Sequence, residues 1–254
     1  MSDFKWRHYQ GVVILWAVRW YSRYPFSYRD LEVMLADRGI SVEHTTIYRW
    51  VQCYAPEMEE RLRWFWRRRF DRSWRLDETY DKVRAKWTYL YGAVDMRGDT
   101  IEFYLSPTRS AKPAKRILGK DLRGLKHWEE PATLNTDKAP SYGAAITELK
   151  RVGKLDRQTA HRQVKYLNIV MEADHGKLMI LNKPVGGFKS IATAYASIKG
   201  FEVMRALRQG QARPWCLQPG IRGELRLVER AFGIGPSALT EAKGMLNHHF
   251  AAAA

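Results

Sequence analysis

The sequence is short of cysteine and of long apolar runs, and each scarcity excludes a class of protein. Its two cysteines, Cys53 and Cys216, form no Cys-x-x-Cys and have no histidine pair at metal spacing beside them, so neither a disulfide framework nor a zinc site is indicated. The longest apolar run near the start, Val12–Val18, stops far short of the roughly 20 residues that span a bilayer, and no secretory cleavage site follows it. We therefore expect a cytoplasmic protein without a membrane partner.

Acidic residues are also few. The 254 residues include 27 Asp and Glu against 43 Lys and Arg, which gives a net charge of +16. This balance excludes an acidic tail or a calcium buffer as the main feature of the chain and points to a polyanionic partner. A hydrophobic share of 45% and a charged share of 28% are those of an ordinary globular protein, long enough to bury a core without disulfide or zinc.

Residues 1–56 predict an all-helical domain. A mostly apolar stretch over Gln10–Tyr21 predicts a first helix. Ser27, with Asp30 three residues later, predicts the capped start of a second helix, and Gly39 predicts its end.

A third helix, capped by His44 or Thr45, is expected to follow this turn and to bury the stripe Ile47, Trp50, Val51 and Tyr54. Two helices joined by a short turn near a glycine are typical of a helix-turn-helix DNA-binding domain. The outward side chains that could meet phosphates or base edges are Thr45, Thr46, Tyr48, Arg49 and Gln52. An αα-hairpin inside a helical subdomain fits the same spacing equally well, and the basic balance of the chain favours DNA.

Residues 57–72 mix arginines with aromatic residues. This alternation predicts a basic linker helix that packs on one side and touches DNA phosphates with the other, although a solvated helix face is the usual alternative for such a run. The candidate DNA contacts in this stretch are Arg67, Arg68 and Arg69.

Residues 73–210 predict an α/β domain. Three strand-like segments at short intervals predict an antiparallel meander. The elements, in chain order, are strands Trp74–Val83, Trp87–Asp95 and Thr100–Leu105, helix Ser110–Leu122, strand Ala132–Thr136, helix Pro140–Arg151, strand Ala160–Lys165, and helices Asn168–Asn182 and Ile191–Arg208. This order matches the ribonuclease-H-like architecture, also that of retroviral integrases, in which a mixed five-stranded sheet carries helices on its faces. Residues 211–254 are interpreted as a C-terminal tail with a short helical patch near Glu224–Ala231 and no chemistry.

Three acids stand at positions that this fold would bring together. Asp77 lies on the first strand, Asp137 follows the fourth, and Glu172 lies on the next long helix. Taken singly, Asp137 is more simply a turn cap and Glu172 a surface acid. Three converging carboxylates repel one another unless divalent metal neutralises them, and oxygen ligands suit Mg²⁺ or Mn²⁺. Two such ions would clamp the attacking and leaving oxygens of a phosphodiester displacement.

The segments Asp77–Tyr80, Asn135–Pro140 and Glu172–His175 resemble the DDE motifs of small bacterial insertion-sequence transposases. The similarity is greatest to the insertion-sequence-six family, which moves by replicative, cointegrate-forming transposition, and runs from about Phe4 to Gln211. It implies that the catalytic, metal-binding triad is Asp77, Asp137 and Glu172. It also implies that the N-terminal domain recognises terminal inverted repeats and that the protein works as a homo-oligomer on paired ends.

The resemblance further implies the reaction. A metal-activated water would nick a strand at each element end, and the freed 3′-hydroxyl would attack target DNA with no nucleotide cofactor. The neighbouring bases His175, Lys177 and Lys183 would steer phosphates, although each alone is as simply a surface charge. When bound to DNA, the protein is expected on the bacterial nucleoid.

The chain departs from the family pattern at three positions. The family usually has Asn where Ile169 stands, a basic residue where Met179 stands, and Arg where Gly92 stands. A methionine cannot hold a phosphate, so the hypothesis is a chain that folds and binds DNA but is impaired in transposition, and Met179→Lys should raise the strand-transfer yield.

Other functions fit the sequence less well. The alternative is a decayed transposase that acts as a DNA-binding repressor, which leaves the carboxylates without a role. A ribonuclease H or a junction nuclease needs no fused DNA reader, and a tyrosine recombinase needs a particular Arg, His and Tyr set. A rolling-circle enzyme needs two histidines around one apolar residue, whereas His248 and His249 are adjacent.

Overall fold

The computed structural model describes residues 4, 8–65, 71–84, 86–122, 125, 129–137, 139–164, 176 and 180–241. The chain forms two compact units: Met1–Trp66 with Ala196–Ala254, here called the helical unit, and Arg67–Tyr195, here called the sheet unit. This grouping by compactness differs from the predicted bounds at residues 56, 72 and 210, because the chain returns to the helical unit after residue 195. The functional division into DNA reader, linker and catalytic domain stays a prediction.

The helical unit begins with the three predicted helices, α1 Gly11–Arg23, α2 Tyr28–Ala36 and α3 His44–Leu62. The capping box that starts α2 is confirmed: Asp30 N–H donates to Ser27 Oγ at 3.1 Å, and Ser27 N–H donates to the Asp30 carboxylate at 2.7 Å. Gly39 takes the left-handed conformation at φ +74°, as a residue that ends a helix does.

The predicted cap of α3 was wrong by one residue. The N-cap position is Glu43, whose side chain makes no capping bond. The backbone N–H of His44 donates instead to the Glu32 carboxylate at 3.2 Å, so an acid on α2 satisfies this helix start. The helix then runs without a break past residue 56, where the sequence predicted a domain boundary.

The core of the helical unit includes the predicted stripe of α3, since Ile47, Trp50, Val51 and Tyr54 are all buried. Two helices from the C-terminal part of the chain complete it: the part of α6 (Ile191–Arg208) from Ala196 onward, and α7 (Gly220–Ala231). Their buried apolar residues include Ile198, Phe201, Val203, Met204, Leu207, Leu227, Val228 and, just after α7, Phe232. The short patch predicted near Glu224 is therefore a full helix that packs into a core.

Gly200 of α6 shows how closely these helices approach. A Cβ at this position would lie 2.5 Å from Ser22 Oγ and 3.0 Å from Ala55 Cβ. No larger side chain fits there without a shift of α1 or α3, so glycine is required by the packing.

The sheet unit confirms the predicted order of elements. It contains β1 Ser73–Val83, β2 Lys86–Asp95, β3 Thr100–Ser106, α4 Ala111–Asp121, β4 Thr133–Thr136, α5 Pro140–Arg151 and β5 Ala160–Gln163. The sheet order is β3-β2-β1-β4-β5, with antiparallel pairing among β1, β2 and β3 and parallel pairing of β4 with β1 and β5. This mixed five-stranded sheet is the ribonuclease-H-like fold that the sequence predicted.

Helices α4 and α5 cover one face of the sheet. Their shared core includes Trp74, Leu76, Tyr91, Ala114, Ile117, Leu118, Leu134, Tyr142, Ile146 and Leu149. Of the helix predicted over Asn168–Asn182, residues 165–175 and 177–179 lie outside the described residues, whereas Gly176 and residues 180–182 are helical. Within the described part of the chain, no helix has both the length and the apolar character that crossing a bilayer takes.

Candidate active site

The pairing of β1 with β4 makes Asp77 and Asp137 neighbours. The last registered pair of these parallel strands is Leu76 with Thr136, and each aspartate is the next residue along its own strand. Adjacent strands lie about 4.8 Å apart, so the two carboxylates start from adjoining backbone positions. The residue Asp77 is 8% exposed and Asp137 is half-buried. Two of the three predicted catalytic acids therefore come together, although a long stretch of chain separates them.

The turn after β4 is fixed by hydrogen bonds around Asp137. The N–H of Ala139 donates to Asp137 Oδ1 at 3.0 Å, and Thr136 Oγ1 donates to the Asp137 carbonyl at 2.8 Å. Pro140 begins α5, a position where its missing N–H costs little. Asp137 is thus the turn cap that its sequence context suggested, at a backbone position that adjoins Asp77.

Beyond β4, His161 of β5 supports the same turn. Its Nε2 lies 2.9 Å from Thr136 Oγ1. Burial and then the positive charge of Lys150 lower the pKa of His161, so the imidazole is held neutral at this position.

An ion pair joins the buried side chain of Glu78, the residue after Asp77, to the half-exposed side chain of Arg109, and it was not predicted. Glu78 follows Asp77 on β1, and its side chain is 7% exposed, whereas that of Arg109 is 54% exposed. The hydrogen bond to Glu78 raises the pKa of Arg109, and the charge of Asp137 adds to this effect. Arg109 therefore lies within electrostatic reach of both Glu78 and Asp137, and no local sequence signal separates it from other basic residues.

The negative charges of nearby acids affect two buried tyrosines, Tyr91 and Tyr142. The rings of Tyr91 and Tyr142 pack edge to face with centroids 6.3 Å apart. Burial and then the charges of Glu78, Asp77 and Asp137 raise the pKa of Tyr142 well above its usual value. Burial and then Glu78 raise the pKa of Tyr91 to about 12. Three carboxylates therefore contribute to the raised pKa of one buried phenol.

The donor set fits a hard divalent cation. Asp77 and Asp137 offer carboxylate oxygens at adjoining positions, and such oxygens are the ligands that Mg²⁺ and Mn²⁺ prefer. The third predicted ligand, Glu172, lies outside the described residues. Over the described ranges, no group of three His, Cys, Asp or Glu side chains could hold a metal, so the fit rests on the two aspartates.

The predicted DNA contacts on α3 divide into two groups. Thr45 and Arg49 are exposed, whereas Thr46 and Tyr48 are partly buried. The Tyr48 ring packs edge to face on Tyr28 at 5.4 Å, and Gln52 Nε2 donates to Ser197 Oγ of α6 at 3.2 Å. Gln52 was predicted to face outward, but a helix from the C-terminal part of the chain covers it.

Most of the other predicted DNA contacts cannot be placed. Arg67, Arg68, Arg69, His175 and Lys177 lie outside the described residues, whereas Lys183 is exposed at the start of the 3-10 helix Lys183–Val185.

Among the three departures from the family pattern, only Gly92 is described, and it pairs with Asp77 across β1 and β2. Ile169 and Met179 lie outside the described residues. Directly paired residues on neighbouring strands share a face of the sheet. The side chain of an arginine at position 92 would therefore project from the backbone position opposite Asp77. With glycine at this position, no positively charged side chain projects from there.

Comparisons with known proteins give sequence relatives of this chain. A family model described as a DDE domain, of the IS240 transposase type, matches residues 71–211. The transposase for insertion sequence-like element IS431mec of Staphylococcus aureus is 35% identical over 216 residues, which cover 84% of this chain and 92% of that protein. The transposase for insertion sequence element IS257 in transposon Tn4003, also from Staphylococcus aureus, matches with the same 35% identity and the same coverage. Among solved structures, the HTLV-2 integrase catalytic core domain in complex with magnesium (trimeric form) aligns over 52% of this chain and 84% of that chain, with 15% identity and a TM-score of 0.36.

Proposed function

Because the chain belongs to the DDE transposases of the insertion-sequence-six family, we propose that it binds the terminal inverted repeats of its element, nicks a strand at each end, and joins the freed 3′-hydroxyls to target DNA. The observation that carries the chemical part of this proposal is the register of β1 and β4, which makes Asp77 and Asp137 neighbours. A polynucleotidyl transferase needs such a pair of carboxylates, and a DNA-binding repressor does not.

In this proposal, Asp77 and Asp137 hold two Mg²⁺ or Mn²⁺ ions together with Glu172. Ions bound there supply the activation of a water or a 3′-hydroxyl and the neutralisation of charge on the phosphate. No nucleotide cofactor is needed, because one phosphodiester bond replaces another.

The surrounding side chains keep the two aspartates available. Arg109 neutralises Glu78, so that the charge beside Asp77 is not left unpaired in a buried place. The phenol of Tyr142 adds no negative charge, because a tyrosine is protonated at neutral pH and burial, followed by the charge of Glu78, raises its pKa further. The bond from Ala139 to Asp137 Oδ1 fixes the backbone from which the second carboxylate projects.

For DNA recognition we assign the exposed start of α3 to the terminal repeats, with Thr45 and Arg49 as the leading contacts. Arg49 can bond a base edge or a phosphate bidentately, and Thr45 a phosphate. Arg67–Arg69 and the cluster His175, Lys177 and Lys183 remain predicted phosphate contacts. The working form is a homo-oligomer that pairs two element ends on the bacterial nucleoid in the cytoplasm.

The test compares nicking of labelled element-end DNA by the wild type and by Asp137→Asn, with Mg²⁺ and with Mn²⁺. The asparagine oxygen can still accept the bond from Ala139, so the turn is kept while the charge is lost. We expect nicking to fall by at least about 100-fold with unchanged DNA binding, since loss of a metal ligand exceeds the loss expected for an outer-shell partner.

Asp156→Asn is the matched control. Asp156 Oδ1 also accepts a backbone bond two residues along the chain, from Gln158 at 2.9 Å, but it follows α5, away from the aspartate pair. Its nicking rate should equal that of the wild type. Binding of terminal repeats without metal-dependent nicking by the wild type would contradict the proposal and favour the repressor.

A further inference from the structure

A basic cavity lies in the sheet unit, between α4, the end of β3 and the turn after α5. Its volume is about 860 Å³. Five basic side chains line it, and the described lining contains no acid: Lys112, Lys115, Arg116, Lys120 and Lys154. We propose that this cavity is a second DNA-binding surface, which holds the phosphate backbone of a duplex without regard to its sequence.

The surface keeps an excess of positive charge after its internal pairs are counted. Lys115 pairs with Glu148, and Lys120 pairs with Glu102 at 2.9 Å. The other three cations are exposed and form no ion pair with a described acid: Lys112, Arg116 and Lys154. Three cations therefore remain for an anionic ligand.

Aromatic rings hold two of the cations in place. Arg116 Nη1 donates to the hydroxyl of Tyr104 at 2.9 Å, and its guanidinium lies 5.7 Å from the centre of that ring. Lys120 Nζ donates to the hydroxyl of Tyr195 at 3.0 Å and lies 5.7 Å from its ring centre. Contacts of this kind restrict long side chains before a ligand arrives, which lowers the entropy lost on binding.

The spacing of the cations suits a polymer of phosphates. Residues 112, 116 and 120 follow one another at intervals of four and so share one face of α4, and Lys115 lies three positions after Lys112 at the edge of that face. This helix has 11 residues and is therefore about 16 Å long, a length over which one strand of duplex DNA presents roughly five phosphates. A small anion would engage one end of such a stripe, whereas a DNA strand can follow all of it.

The cavity lining adjoins, in the sequence, a residue that pairs beside Asp77. Thr108 lines the cavity, and the next residue, Arg109, pairs with Glu78 beside Asp77. Lysines act on phosphates as point charges and carry no base readout, so the ligand is DNA of any sequence. In transposition this is the target duplex, an assignment that rests on the proposed function.

The first test is lysine acetylation of the full chain, read by mass spectrometry with and without a random-sequence duplex. We expect Lys112 and Lys154 to become protected by at least severalfold, whereas Lys86, exposed at the start of β2, should keep its reactivity. Equal reactivity of all three lysines in the presence of bound duplex would overturn the surface. Protection by terminal-repeat DNA but not by random duplex would overturn its independence of sequence.

The second test measures how binding of the random duplex depends on salt. The plot of log K against log salt should become shallower by about 0.9 for each phosphate contact removed in the variant Lys112→Gln/Lys154→Gln. The control Lys86→Gln/Arg157→Gln removes the same charge from exposed positions outside the cavity and should keep the wild-type slope. Equal slopes for the two variants would refute the surface. Failure of the wild type to bind any duplex would instead refute the proposed function.

Discussion

Replacing Phe232 by alanine tests whether the C-terminal part of the chain builds the core that packs against α3. Phe232 is 2% exposed and lies just after α7. Its ring lies 5.8 Å from that of Phe4 and 6.3 Å from that of Tyr54 on α3. The guanidinium of Arg61 lies 4.5 Å from its centre, and Arg61 Nη1 also donates to the Ala231 carbonyl at 2.9 Å.

The loss of stability follows from this burial. A buried phenylalanine removes roughly 150–250 Å² from water, which at about 25 cal/mol/Å² is worth about 4–6 kcal/mol. Alanine retains part of that area, and core Phe→Ala changes accordingly cost about 3–5 kcal/mol. With a urea m-value of about 2 kcal/mol/M, the unfolding midpoint of the helical unit should fall by about 2 M.

The assay is urea unfolding of the full chain followed by amide hydrogen exchange in α3, which reads the helical unit alone. Ile221→Ala is the matched control, because Ile221 lies on the same helix α7 but is 51% exposed, and its change should stay within about 0.5 kcal/mol. Terminal-repeat binding should weaken in the Phe232 variant at urea concentrations that the wild type withstands. If the midpoints of the two variants coincide, residues after α7 do not support α3 and the reasoning is refuted.

Two further predictions concern the surroundings of the aspartates. Arg109→Gln leaves the carboxylate of Glu78 buried without its cation, so we expect the free energy of unfolding to fall by about 1–2 kcal/mol, less than for a fully buried pair because Arg109 is half-exposed. Adding Glu78→Gln should restore part of this stability. No recovery in thermal unfolding of the double variant would contradict the pairing. The pKa of His161 is lower in the folded chain than its value of 6.5 in the unfolded chain, so the unfolded chain binds the proton first as the pH falls. The contribution of His161 to the stability of the fold is therefore complete above pH 6.5 and is lost below it. His161→Gln should therefore lose less stability than the wild type between about pH 7.5 and about pH 5 in urea titrations, and an identical pH dependence would show that His161 does not contribute.

The sheet and the aspartate pair could be predicted because they depend on local patterns and on one topological rule. Alternation places Trp74 and Leu76 in the core beneath α4 and α5, and short turn-prone segments mark where each strand ends. Once β4 pairs in parallel with β1, residues that follow the paired segments must adjoin. The positions of Asp77 and Asp137 then follow without any knowledge of side-chain packing.

The helical unit could be predicted only in part, because its last contacts join residues far apart in the sequence. The outward position of Gln52 on α3 was correct for an isolated helix, but Ser197 of α6 covers it. The segment after residue 210 shows a short amphipathic pattern, and nothing local indicates which helix its apolar side will meet. The pairing of Glu78 with Arg109 has the same origin, since neither residue carries a signal for the other.

The order of these contacts along the chain bears on how the helical unit is completed. The sheet unit, Arg67–Tyr195, is inserted in sequence between the two parts of the helical unit. A fragment limited to residues 1–72 would keep α1, α2 and α3 but would expose Tyr54, which packs against Phe232, and Ala55, which lies next to Gly200. Such a fragment lacks the core that presents Thr45 and Arg49, so it should not read DNA stably. The proposed recognition of DNA by α3 therefore depends on helices that follow the sheet unit in the sequence, so removal of those helices should weaken binding of terminal repeats although Thr45 and Arg49 are retained.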